Sequence, residues 1–414
     1  MQTSESSSRG KSLLIFILGS LTALGPFSID MYLPGFDSIA KDLGVTTAEV
    51  GLSLSSYFIG ISAGQLLYGP LLDRFGRKKP LYFGLCLYIL ASAGCTLVHS
   101  LQGLVILRFF QAIGSCAAAV AAIAMVRDLF PVEQNARVFA LLMLVVGASP
   151  MIAPTVGGYV TLALGWHAVF IILGGLGLLI LLASIFLLPE SYEPDVNMSL
   201  KPGPIISNFL AVIKEPQFYT YTLSGSFAFA GLFAYVSGSP VVFMEIFHLD
   251  KTVYGWIFAG LSVGLIGSSQ VNSWVLRRYR SDQVVKVAVI AQALTGILFL
   301  VGEYQGWYQL PQVIGLLFIF LSCVGFANPN TSALSIAPFK KHAGSAAALM
   351  GATQMGIGAL ASVGVSLFDS HTALPMVMIM AGTAVMSVVV LVIGRRQIKH
   401  PIVMHEGDDA IVIH

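Results

Sequence analysis

The chain has 414 residues, of which 56% are hydrophobic and only 10% charged, with a mean hydropathy of +0.83. A soluble domain carries roughly 25% charged residues, so this composition cannot cover a water-facing surface and points to an all-α integral membrane protein. A net charge of +2 argues against a nucleic-acid partner, and the four cysteines (Cys86, Cys95, Cys116, Cys323) are scattered through apolar runs without metal-ligand spacing.

The first apolar run, near 13–33, follows Arg9 and Lys11 as a signal peptide would. It reaches about 20 residues and no A-x-A site follows it, so it is expected to remain as a first span. Similar runs lie near 50–72, 79–98, 102–126, 137–162 and 167–188. A polar stretch, "PESYEPDVNMSLKPGP", comes next, and six more runs lie near 218–246, 253–276, 284–303, 311–334, 343–368 and 373–394. The pattern predicts twelve transmembrane helices in two six-helix halves, as in transporters built from repeats. The expected divisions are an N-terminal bundle over 1–190, a cytoplasmic linker over 191–215, a C-terminal bundle over 216–394 and a poorly ordered cytoplasmic tail over 395–414.

Basic residues orient the chain. With both termini in the cytoplasm, Lys41 and Lys251 are left outside and Arg108 lies within a span, while every other Lys and Arg falls inside. The loop "LPGFDSIAKDLGVTTAEVG" is then external, acidic and partly helical.

In the first span, "PFSIDMYLP" places Asp30 among apolar residues. A charged carboxylate at mid-bilayer costs roughly 2.5–3.5 kcal/mol. Arg108, in "LVILRFFQAIG" of the fourth span, is a potential partner. Asp30 lies ~25 Å along its outward helix and Arg108 ~9 Å along its inward one, so both fall in the outer half of a ~30 Å core and could share a cavity. A carboxyl held between burial and a guanidinium can take up and release a proton. The alternatives are that Asp30 caps a kink between Pro26 and Pro34 or snorkels outward, and that Arg108 tethers backbone carbonyls of the first span.

Between the second and third spans, "GPLLDRFGRKKPL" offers Gly69 and Gly76 for close approach and a tight turn, and Asp73 for a helix N-terminus or a nearby arginine. Arg74, Arg77, Lys78 and Lys79 belong to the inner basic set. The fifth span carries "GASPMIAPTVGG", where Gly147, Pro150, Pro154 and Gly157 share one small, bent face and Gly158 follows. Gly60 and Gly64, then Gly260, Gly264 and Ser268, and the series Gly344, Ala348, Ala352 and Gly356 serve plain helix packing or sliding surfaces between halves. Tyr32, Tyr57, Gln65, Phe227, Tyr235, Asn328, Asn330 and Gln354 could line a cavity with aromatic faces and polar handles.

These stretches resemble a known family. "GPLLDRFGRKKPL" resembles the loop signature of the major facilitator superfamily, and "LVILRFFQAIG" its helix-4 motif, with Arg108 and Gln111 matching and Ala112 where glycine is usual. "GASPMIAPTVGG" resembles the helix-5 antiporter motif, departing at Ser149 and Pro154; "SIDMYLP" and "MVRDLFP" resemble the Bcr/CflA subfamily of drug:proton antiporters. In the second half, "NSWVLRRYRSDQ" keeps the arginines of the loop signature but not its aspartate and glycines. The resemblance implies a major facilitator fold in a bacterial inner membrane. It implies a monomer that exchanges protons for small amphipathic compounds or antibiotics, driven by the proton gradient without a cofactor. Asp30 would bind the proton, Arg108 would link proton and cargo, Asp73 would hold the eleventh span, and the helix-5 motif would limit leak. A proton symporter or metabolite exporter on the same fold, and a non-transporting scaffold or receptor, are the alternatives. No GxxxxGK[ST], HExxH or Ser/His/Asp set supports an enzyme.

Overall fold

The computed structural model describes residues 2–194, 202–339, 343–368, 372–398, 402–403 and 411–412. Lys201, Lys340, Lys341 and Lys399, used above to orient the chain, lie outside these residues, as do parts of the expected linker and tail; the side chains of Arg9 and Arg137 are also outside the description.

The first half comprises α1 (Gln2–Asp30), a short α2 (Phe36–Leu43), α3 (Thr47–Phe75), α4 (Lys78–Cys95), α5 (Leu101–Leu129), α6 (Val132–Leu164) and α7 (His167–Leu187). The second comprises α9 (Pro216–Pro240), which runs on as a π-helical turn at Val241–Ile246, then α10 (Lys251–Val275), α11 (Ser281–Tyr304), α12 (Leu310–Ile336), α13 (Ala343–Ser366) and α14 (Leu374–Arg395). The twelve expected spans are therefore α1, α3–α7 and α9–α14. Eleven are long and apolar enough to cross a bilayer by length and composition alone. The remaining one, α4, is 18 residues long and opens on Lys78-Lys79-Pro80, yet it packs against α5 and α7 like its neighbours.

Two elements fall within the expected linker and tail. The linker carries a helix, α8 (Pro202–Ile213), which docks on α9 and α13 and buries Val212 beside Phe218 and Ala346. In the tail, Ile402–Val403 pairs antiparallel with Ile411–Val412.

Local chemistry sets the boundaries. Thr46 accepts from the Glu49 backbone while the Glu49 carboxylate accepts from the Thr46 backbone, a capping box that starts α3. Ser100 caps α5 through Gly103 N–H. Gly76 breaks the α3–α4 path at φ +82, a conformation costly for any side chain. Outward faces expose Leu90, Phe186 and Leu294, as suits contact with lipid tails. Interior faces bury serines such as Ser28, Ser92 and Ser184, whose hydroxyls donate to the carbonyl one turn back.

The halves meet along α3 with α13 and α6 with α10. We call the face bearing α2 outer and the face bearing the basic α3–α4 loop inner. At the outer side the seam is shut: Ser55 Oγ and Ser362 Oγ are 2.7 Å apart, and Lys251 Nζ donates to Ser38 Oγ. Midway, Ser62 Oγ donates to the Ala352 carbonyl at 2.8 Å. At the inner ends, a β-carbon added to Gly69 of α3 or Gly344 of α13 would meet nothing within 4 Å. The halves are thus in direct contact at the outer side and midway.

Candidate functional site

Asp30 is the last residue of α1, where the chain leaves its helix for the Leu33–Gly35 turn, and it is 5% exposed. Among the described residues it makes no ion pair or side-chain hydrogen bond, and its electrostatic neighbours are Tyr235 of α9 and Tyr254 of α10. Both tyrosines belong to the opposite half. Tyr235 stacks on Phe258 at 5.4 Å and its buried hydroxyl has no partner, whereas the Tyr254 hydroxyl is 2.9 Å from Ser239 Oγ. The carboxyl therefore sits at the seam and faces the second half.

The small face of α6 holds this corner together. A β-carbon at Gly157 would land on the Met31 carbonyl oxygen, one residue past Asp30. One at Gly158 would lie 2.8 Å from the Lys251 carbonyl, and one at Gly147 would be 3.5 Å from Ile266, both on α10. Pro150 and Pro154 lie inside α6, and the backbone from Pro154 to Thr155 faces Gly255 of α10.

Arg108, expected at a depth similar to that of Asp30 and able to share a cavity with it, makes its contacts elsewhere. It is fully buried within the first half, between the rings of Tyr57 and Tyr32 at 4.3 and 4.5 Å, with Phe170 at 5.8 Å. Its Nη1 donates to Gln111 Oε1 at 2.7 Å, and Gln111 Nε2 donates to Ser92 Oγ at 2.8 Å. Its Nε and Nη2 have no partner. The two rings are themselves fixed, Tyr32 by Ser53 and Tyr57 by Ser115, each at 2.7 Å. Cation–π contact thus stands in for a counter-ion.

In the basic loop, Asp73 accepts from Arg77 Nη1 at 2.7 Å. The segment just before the eleventh span, α13, lies outside the described residues. Arg77 Nε also donates to Asp128 at 2.8 Å, its backbone N–H to Glu190 at 2.8 Å, and its guanidinium lies 4.2 Å over the Tyr192 ring. Burial opposes the Arg77 charge, but hydrogen bonds to Asp128 and Asp73 outweigh it and hold its pKa above the usual arginine range. Lys78 Nζ donates to the Leu188 carbonyl at 2.7 Å, and Arg74 is half-buried beside it in the loop.

Of the other cavity candidates, Asn328 Oδ1 accepts from Gln354 Nε2 at 2.6 Å, and Asn330 Nδ2 donates to Asn272 Oδ1 at 2.7 Å. Gln65 reaches across the seam to Gly351, its Oε1 unpartnered, while Phe227 is half-buried on α9 and makes no ring contact among the described residues. The candidates fall into separate groups rather than one ring. Residues not anticipated are Tyr254, Phe170, Asp128 and Glu190. Asp128 and Glu190 were detectable as acids at inner span ends ("MVRDLFP", and "PESYEP" with Glu193 beside it), where an arginine needs a partner.

Two six-helix halves packed along α3–α13 and α6–α10, with a buried acid at their outer seam, have the architecture of a secondary transporter. The chain belongs to the major facilitator superfamily, whose family model matches residues 18–364, and its relatives group it with the Bcr/CflA branch. It is 33% identical to a bicyclomycin resistance protein homolog of Haemophilus influenzae, covering 91% of this chain and 95% of that protein. It is 28% identical to a chloramphenicol resistance protein of Pseudomonas aeruginosa, covering 88% and 86%. The inward-facing, unoccupied structure of a bacterial homolog to the human lysosomal transporter Spinster shares the fold, with a TM-score of 0.67 at 15% identity over 93% of this chain and 95% of that one.

Proposed function

We propose that this protein is a proton-coupled exporter that exchanges protons for small amphipathic organic compounds, antibiotics among them. The observation that carries this reading is Asp30, enclosed between the halves with no cation paired to it among the described residues. Enclosing an unpartnered carboxylate costs several kcal/mol. Proton uptake at Asp30 and closure of the outer seam therefore favour each other.

The cycle follows from that coupling. In the outward-open state Asp30 takes a proton, and the seam closes on Tyr235 and Tyr254. The halves tilt to the inward-facing arrangement, the proton leaves to the cytoplasm and cargo enters. Charged Asp30 then disfavours the closed seam, and the protein reopens outward. The membrane potential adds about 2.3 kcal/mol per proton at 100 mV, and no cofactor is called for. Gly157 and Gly158 keep α6 tight against Met31 and Lys251 and so limit leak. Arg108 grips Tyr32, two residues beyond Asp30, and links movement of that turn to the interior of the first half. Asp73 would hold α13 in the outward-facing state.

The resistance proteins among the relatives support the cargo class. The basic-residue asymmetry supports a bacterial inner-membrane location with cytoplasmic termini, and a single chain contains both halves, so a monomer suffices. The test is Asp30→Asn in proteoliposomes. Drug-dependent proton movement should vanish with insertion intact; wild-type exchange in that variant would remove Asp30 from the mechanism.

A further inference from the structure

The turn between α10 and α11 gives the inner face of the second half an uneven charge. Arg277, Arg278 and Arg280 follow the end of α10, Lys286 lies one turn beyond Asp282 in α11, and Arg395 and Arg396 close α14. Asp282 ties the group together, accepting from Arg280 Nε at 3.1 Å and from Arg395 Nη2 at 2.8 Å. That spends the one acid these bases pair with among the described residues, and Arg277, Arg278, Lys286 and Arg396 stay exposed with no ion pair there. The matching turn of the first half is balanced, because Asp73, Asp128 and Glu190 all gather on Arg77. Bases crowded in this way repel one another unless an anion comes from outside the chain.

Two observations say what carries that anion. Lys286 stands on the lipid-facing side of α11: Ile290 and Leu294, one and two turns further in, are exposed apolar residues. An ammonium at the rim of such a face reaches for the headgroup level. Trp274 and Tyr279 flank the arginine pair at 60% and 56% exposure, and the Arg278 guanidinium lies 5.7 Å from the Trp274 ring. Exposed Trp and Tyr at the end of a span belong at the depth of lipid headgroups. A free phosphate could use the arginines, but it would have no use for the two rings or for a lysine on the acyl-chain side.

We propose that this turn binds an anionic phospholipid of the inner leaflet, with the lipid phosphate on Arg277, Arg278 and Lys286 and its glycerol region against Trp274 and Tyr279. The clamp of Arg280, Asp282 and Arg395 joins the turn to α14 and gives the headgroup a fixed platform. A zwitterionic lipid would bring its own ammonium among the bases and gain much less. The site is separate from Asp30 and does not depend on what the protein carries.

The test is thermal melting of the full-length protein, stripped of lipid in a neutral detergent and titrated with phosphatidylglycerol or phosphatidylcholine. Phosphatidylglycerol should raise the melting temperature at least about 3 °C more than phosphatidylcholine does, as expected of a ligand that binds only the folded state. Salt at about 1 M, where charges are screened beyond about 3 Å, should remove most of that difference. Arg277→Gln/Arg278→Gln/Lys286→Gln leaves the Asp282 clamp intact and should weaken the apparent Kd for phosphatidylglycerol at least about tenfold. If the triple variant does not fold, Lys286→Gln is compared with Lys286→Arg: the glutamine should lose affinity and the arginine keep it. Equal gains from the two lipids, or a triple variant within about twofold of wild type, overturns the site. Glycerol phosphate that matches phosphatidylglycerol would make this a free-anion site and overturn the lipid. A phosphatidylglycerol gain that appears only after the chain beyond Ile398 is removed, with its Glu406, Asp408 and Asp409, would make that acidic segment the occupant and overturn the lipid as well.

Discussion

Arg108 carries its charge into the interior of the first half with one hydrogen bond, to Gln111, and two aromatic faces for company. A desolvated cation–π contact contributes about 2 kcal/mol, whereas removing a guanidinium from water costs several. The two contacts roughly offset that cost and leave no clear gain in stability. A pure tether would be an inefficient use of this residue, since an apolar chain of similar volume in place of a buried ion is often neutral or stabilising by about 1–4 kcal/mol. Arg108→Met should therefore keep or raise the melting temperature while export falls at least about tenfold. Arg108→Lys, without the planar face that lies on Tyr32 and Tyr57, should recover only part of the transport. A large drop in melting temperature for Arg108→Met would instead make the arginine a structural tether. Sequence alone located both intramembrane charges and their similar depth. It did not show that they face opposite ways, because which side of a helix a residue presents at the end of a span depends on how that span ends. Here the turn at Leu33–Gly35 directs Asp30 to the second half and Tyr32 back to Arg108.

At the scale of elements, α6 is set by backbone contact. The atom that an alanine at 157 would strike is the Met31 carbonyl oxygen, which is backbone and cannot rotate away. Gly157→Ala must push the end of α1, and Asp30 with it. Overpacking of this kind costs about 1–3 kcal/mol. Export should fall at least about tenfold and the closed outer seam should leak protons, measured as pH equilibration in liposomes without drug. Gly260→Ala on α10 is the control: its β-carbon would meet nothing within 4 Å, so transport should be unchanged. Most spans could be read from apolar run length, and the helix-5 motif from its 3, 4, 3 spacing. The α8 helix was hidden because polar flanks and Pro202 and Pro204 mask a run of only 12 residues. The glycines of α3 follow the plain helix-packing reading rather than the sliding one. Gly60 and Gly64 pack on Phe109 and Cys116 of α5, inside their own half, and not on the moving seam. The weak loop of the second half also has an anchor that motif matching missed. Asp282, at the start of α11, accepts from Arg280 and from Arg395 of α14 at 3.1 and 2.8 Å. In the first half the acid Glu190 sits at the end of the last span and binds the loop before α4. The second half places a base there, so the charges are exchanged while the clamp is kept.

For the whole molecule, the claim that matters is that the halves separate on one side as they join on the other. Ser55 of α3 and Ser362 of α13 offer a direct test, because their hydroxyl oxygens are 2.7 Å apart across the outer seam. Side chains that touch there make the pair a candidate for a disulfide, whose geometry asks for β-carbons about 3.5–4.5 Å apart. Cys86 is the exposed native thiol and would be replaced by serine first. Oxidised Ser55→Cys/Ser362→Cys protein should be fixed in the inward-facing arrangement. It should not export cargo, and reduction should restore transport. The same bond should also stop drug-dependent proton movement, because Asp30 can load from outside only when the seam opens. A cross-linked protein that still exports at the reduced rate would mean that the outer ends of α3 and α13 need not part. Alternating access by rocking of the two bundles would then be the wrong description, whichever residue carries the proton.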